Sequence, residues 1–112
     1  MEADEQAVVR RLDKALAVFL KENPLITVSA LSTFLSLAMK EGVGPTEISK
    51  RLGIPLATAS RHLLDMSERN RKAEPGLGWV ERRSSDKSLA ALEYTLSPKG
   101  KSLIHEVSNI WR

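Results

Sequence analysis

Two short periodic segments, Pro45–Leu52 and Leu56–Met66, are joined by only Gly53-Ile54-Pro55. No other feature restricts the fold so much. Pro45 or Thr46 opens the first helix, and Ile48 and Leu52 share one of its faces. Gly53 supplies the dihedral freedom of a sharp turn, Ile54 plugs the junction, and Pro55 suits the N-terminal edge of the next helix. That second helix is predicted to run from Leu56 past Met66, with Ala59, Leu63 and Met66 on one side. A helix, a tight turn containing glycine and a second helix form a helix-turn-helix signature, here about 45–67.

The flanks complete an order of elements. Val8, Leu12, Ala15, Leu16, Phe19 and Leu20 recur at three- and four-residue steps, which predicts a helix over 4–22 with these residues on one packing face. Asn23-Pro24 ends it. A second helix is expected over Val28–Glu41, with Thr27 as N-cap, Leu31, Phe34, Leu35 and Ala38 inward, and Gly42 and Gly44 beyond its end. Residues 69–78 are polar and carry Pro75, Gly76 and Gly78, so this stretch should loop. Trp79–Arg83 and Ala91–Leu96 then read as a hairpin over about 79–96, with Leu92, Tyr94 and Leu96 alternating against Glu93 and Thr95. Ser97-Pro98 begins a last helix, about 98–111, with Leu103, Ile104, Val107, Ile110 and Trp111 as its apolar stripe. The expected class is mainly α (α+β), a single domain over 1–112.

Composition narrows the function. With no cysteine, thiol catalysis, disulfides and thiolate metal sites are excluded, and His62 and His105 are too few and too separate for a metal cage. The carboxylates offer no acid–base pair, and Gly76-Leu77-Gly78 is not a phosphate loop. No enzyme and no cofactor are expected. No apolar run approaches the ~20 residues that span a bilayer, and the acidic start (Glu2, Asp4, Glu5) is unlike a signal peptide, so a cytoplasmic protein is expected. The net charge is +3 with a pI near 9.5, compatible with nucleic acid. Its distribution is telling: Arg69, Arg71, Lys72, Arg82, Arg83 and Lys87 crowd one stretch.

The motif Glu47-Ile48-Ser49-Lys50-Arg51-Leu52-Gly53-Ile54, then Thr58-Ala59-Ser60-Arg61-His62-Leu63, resembles the recognition half of bacterial winged-helix regulators. Trp79-Val80-Glu81-Arg82-Arg83, followed after 13 residues by Ser97-Pro98-Lys99-Gly100, is similar to the wing of the MarR family. The resemblance covers roughly residues 28–107. It implies a winged helix-turn-helix with a two-stranded β-hairpin wing and flanking terminal helices, acting on double-stranded DNA. The chain departs from that family in two places. Extra residues intervene within Glu68–Leu77, and the wing tip (Lys87, Ser88, Leu89, Ala90) lacks the family's arginine. It also carries only a short last helix where the family has long ones.

If Ala59, Leu63 and Met66 are buried, Leu56, Ala57, Ser60 and Arg61 face outward at the start of the second helix. A helix in the major groove presents such residues to base edges. Arg61 can pair bidentately with guanine, Ser60 can bond to a base or phosphate, and Leu56 or Ala57 can touch a thymine methyl. Thr46, Thr58, His62, Arg69, Arg71, Lys72, Arg82, Arg83 and Lys87 are the backbone-contacting or supporting candidates. A solvated loop is the alternative for the extra segment, and a brace for the turn is the alternative for Thr58. The leading reading is a sequence-specific DNA-binding regulator, a repressor, forming a homodimer through its first and last helices. No residues define an effector pocket. The alternatives are a winged-helix protein–protein module, or a plasmid or phage accessory protein for replication or partition.

Overall fold

Local chemistry sets the starts of the first two helices. In the computed structural model, which describes residues 1–68, 74–85 and 88–112, α1 spans Ala3–Glu22. Asp4 and Glu5 lie in its first turn, where the helix dipole favours anions, and the Glu2 amide donates to Glu5 Oε1 at 2.9 Å. The Asn23 side chain accepts from the Leu25 amide and turns the chain into α2, Val28–Met39. Thr27 caps α2 by accepting from the Ala30 amide at 3.1 Å. The far end of α2 is closed from a distance, since Arg51 Nη1 donates to Ser36 O at 3.0 Å and Lys40 O at 3.2 Å.

Next come α3, Pro45–Leu52, and α4, Leu56–Asp65. Two strands follow, β1 (Val80–Ser85) and β2 (Ser88–Leu96), and then α5, Pro98–Ile110. The strands pair antiparallel, from Val80 opposite Leu96 to Ser84 opposite Leu92, with an irregularity at Ser85. Val43 adds a bridge to Tyr94 on the other edge of β2.

The core lies where all these elements meet. Phe19 of α1, Phe34 of α2 and Trp79, just before β1, pack as three rings with centroids 5.2–5.8 Å apart, each pair tilted or edge-on. Such pairs contribute about 0.5–1.5 kcal/mol each beyond area burial. Leu37, Ile48, Ala59, Leu63, Met66, Val80, Tyr94, Leu96 and Leu103 surround them.

The Ser-Pro-Lys-Gly sequence has a physical explanation here. Ser97 caps α5 by accepting from the Gly100 amide at 3.0 Å, and Pro98 opens the helix. Lys99 pairs with Glu22 at 3.5 Å. A Cβ on Gly100 would overlap the Trp79 carbonyl oxygen, so only glycine lets α5 approach.

Several expectations need correction. In α1 only Ala15 and Phe19 are buried, while Val8, Leu12, Leu16 and Leu20 are 44–51% exposed. The stripe is real, but most of it is turned away from this core. In α2, Leu37 is buried in place of the expected Leu35, and the helix stops at Met39 rather than Glu41. β2 begins at Ser88, three residues earlier than expected, and Leu92 is 39% exposed. Trp111 is 46% exposed, outside the inner stripe of α5.

Candidate nucleic-acid interface

The turn between α3 and α4 is braced on both sides. Gly53 adopts φ +66 and its amide donates to Ser49 O at 2.9 Å. Ser49 Oγ donates to Ile54 O at 2.6 Å, locking the far side of the turn. Sequence reasoning alone misses the role of Ser49; a serine one turn before a helix-ending glycine is its signal. Ile48 from α3 and Ala59 and Leu63 from α4 are fully buried, which sets the rotation of both helices.

That rotation places the predicted residues individually. Leu56 (52% exposed), Ala57, Ser60 and Arg61 all face solvent: 100° per residue turns Ala57 and Arg61 away from the buried face and Ser60 to its flank, whereas Leu56, in line with Leu63, is exposed as the first residue of α4. Arg61 is the sole arginine or lysine in α4. Thr58 is half-buried and Thr46 is exposed in the first turn of α3. His62 is half-buried, its Nε2 3.0 Å from Ser29 Oγ, so it braces α4 against α2.

The helix does not continue into the extra segment. α4 ends at Asp65, and the chain is then gathered back: Gly76, Leu77 and Gly78 amides donate to Glu68, Asp65 and Ser67 carbonyls at 2.8–3.1 Å. Trp79 and Val80 amides both donate to Met66 O. A Cβ on Gly76 would overlap Ser67 O, so the closure needs glycine. Arg69, Arg71, Lys72 and Lys87 lie outside the described residues.

The two wing arginines are not brought together. Arg82 pairs with Tyr94 and Arg83 with Glu93 across the ladder, so their side chains leave opposite faces of the hairpin. Arg82 shares a groove with Ser67, Glu68, Val80 and Glu81 beside the end of α4. Arg83 shares a different groove with Glu41, Glu81 and Lys101. Burial raises the Tyr94 hydroxyl above its ordinary pKa, and the Arg82 guanidinium, hydrogen-bonded to it, offsets part of that rise. Period-two alternation alone predicts the split. Among the described residues no cluster suits a metal ion, and no helix is long and apolar enough to cross a membrane.

A glycine-turned helix pair, an antiparallel wing rooted against it and helices on either side define a winged helix-turn-helix domain. A model of the IclR helix-turn-helix domain matches residues 11–70, more than half the chain. The protein belongs to the IclR helix-turn-helix domain family. None of the curated proteins matches it significantly in sequence.

Among solved structures it is similar to a MarR family transcription regulator, 19% identical, with a TM-score of 0.66. That match covers 93% of this chain and 63% of the other, so the chain spans less than two thirds of that regulator's length. Streptococcus pneumoniae FabT, solved in complex with DNA, is 22% identical over 96% of this chain and 75% of its own, with a TM-score of 0.60. A mutant MarR from E. coli complexed with operator DNA is 18% identical over 95% and 71%, with a TM-score of 0.63. The MarR resemblance seen in the motifs therefore holds for the fold.

Proposed function

We propose that the protein is a sequence-specific double-stranded DNA-binding transcription regulator, a repressor, that lays α4 in the major groove as one half of a homodimer. The observation that carries this is the outward turn of α4: Ala57, Ser60 and Arg61 are exposed on a helix whose other side is locked by Ala59 and Leu63, and Leu56 is exposed with them at its first position. In this reading Arg61 reads a base edge, Ser60 reaches a base or phosphate, Thr46 reaches the backbone, and His62 and Thr58 hold the helix in place. The complexes of FabT and MarR with DNA support the reading by likeness of fold.

The homodimer rests on the exposed apolar stripe of α1, Val8, Leu12, Leu16 and Leu20, with Trp111 at the end of α5. A contiguous apolar face of this kind marks an association surface. A two-fold pair would present two α4 helices to half-sites about one helical turn apart.

Selection of bound fragments from random DNA tests the proposal directly. Recovery of a two-fold symmetric sequence, bound far more tightly than unrelated DNA at the same salt concentration, is the expected result. Absence of measurable DNA affinity at low salt overturns it and leaves the protein-docking reading. A role in replication or partition would instead show in where the recovered sites lie.

A further inference from the structure

The free edge of β2 is finished in an unusual way. Gly42, at φ +78, donates its amide to Tyr94 O at 2.9 Å, while the Tyr94 amide donates to Val43 O at 2.8 Å. Two residues thus oppose one, with a left-handed glycine first, which is the bond pattern of a glycine bulge. A bulge ends regular pairing. The next amide pointing to this edge is that of Leu96, two residues along the strand. The chain opposite has already turned back into α2, and the Lys40 carbonyl there is occupied by Arg51. The Leu96 amide is met instead by a side chain, Glu41 Oε1, at 2.6 Å.

We propose that Glu41 is a positioning residue, its carboxylate standing in for a strand carbonyl at Leu96 and thereby fixing the direction of the hairpin relative to α4. Three elements converge on this bond. Glu41 links α2 to α3, Leu96 ends β2, and Ser97, the next residue, caps α5 while its amide donates to Trp79 O. A charged acceptor makes the bond stronger than the neutral one it replaces. On the other side of Val43, a Cβ on Gly44 would meet Leu92 O at 2.6 Å, so the start of α3 already touches β2. The Gly42 and Val43 bonds hold the middle of β2 at Tyr94, and the Glu41 bond extends that hold toward the root, where the strand passes into α5. Its consequence for DNA rests on the function proposed above: a fixed angle lets α4 and the hairpin meet the same duplex at once.

The experiment compares Glu41→Ala, Glu41→Gln and Glu41→Asp in the full chain, first without DNA. Glutamine keeps an acceptor oxygen at the same reach, and aspartate keeps the charge but falls one methylene short. In E41A and E41D the Leu96 amide should exchange faster, and residual dipolar couplings of β1 and β2 amides should shrink relative to those of α4. E41Q should restore both. With DNA, the log–log salt slope of E41A and E41D should fall by about 0.9 for each phosphate that the wing no longer neutralises, again restored in E41Q. If E41A does not fold, E41D carries the same comparison. Unchanged couplings in E41A or E41D, or couplings in E41Q that follow those of E41A, overturn the proposal. Failure of the wild type to bind DNA overturns the proposed function but leaves the DNA-free couplings to decide the role of Glu41.

Discussion

Arg61 is the single residue on which specificity should turn. Its side chain is exposed and its neighbours Ala59 and Leu63 carry the packing, so Arg61→Ala should leave the melting temperature unchanged. On the preferred site it should cost about 1–3 kcal/mol, and much less on unrelated DNA. Affinities on both at one salt concentration check this; equal losses would make Arg61 a phosphate clamp. Gly100→Ala should do the opposite, destabilising the fold. Alanine ordinarily favours a helix by about 1 kcal/mol over glycine, but here its methyl would overlap Trp79 O. Overpacking of that kind costs about 1–3 kcal/mol, and urea unfolding should show a net loss. Tyr94 gives a pH signature. Its hydroxyl is held above the ordinary value chiefly by burial, so the folded protein keeps this proton longer than the unfolded chain does. The associated stability is complete below about pH 10 and is lost as pH rises through the raised value. Denaturation midpoints should fall across that alkaline window in the wild type and less so in Tyr94→Phe.

At the scale of elements, the split of Arg82 and Arg83 onto opposite hairpin faces makes their contributions unequal. Neutralising them one at a time should lower the salt slope by about 0.9 for the arginine that faces DNA and leave it unchanged for the other. Equal effects would mean that both reach phosphate despite the alternation. Neutralising Arg69, Arg71 and Lys72 together should weaken binding alike on every sequence, again by about 0.9 in slope per phosphate; an unaltered slope would assign that segment to solvent or to another partner. The helix-turn-helix and the hairpin are legible because their signals are local: Gly53 at the turn, the three-to-four-residue spacing of Ile48 with Leu52, the alternation before Ser97. The hydrophobic period locates α1 correctly, yet it cannot say which surface its stripe meets. The bonds that join elements are hidden. Arg51 reaches back to Ser36 and Glu41 forward to Leu96, and neither distance leaves a periodic trace. The exposed side of α4 is readable, because two buried residues fix a helix's rotation. The role of His62 is not, because its partner Ser29 comes from another helix.

At the scale of the whole molecule, the proposed function gives the outward face of α4 and the apolar stripe of α1 different partners. If α1 builds a two-fold interface, Leu12→Lys combined with Leu16→Lys should shift sedimentation to the monomer mass, and Trp111→Ala should do so more weakly. Because both lysines replace side chains already exposed to water, the domain should still fold, and a dimer mass retained by the folded double variant would sink this interface. The molecule also contains a natural seam. Glu68 and Gly76 are joined by a 2.8 Å backbone bond, with the neighbouring bonds to Asp65, Ser67 and Met66 behind it. A peptide grafted between them leaves and rejoins the domain at one point. Each doubling of its length costs only about 0.6 kcal/mol of closure entropy. The domain should therefore carry a foreign loop beside α4 while keeping the backbone bonds from Asp65, Met66 and Ser67 that close the segment, and a nearly unchanged urea midpoint would check it.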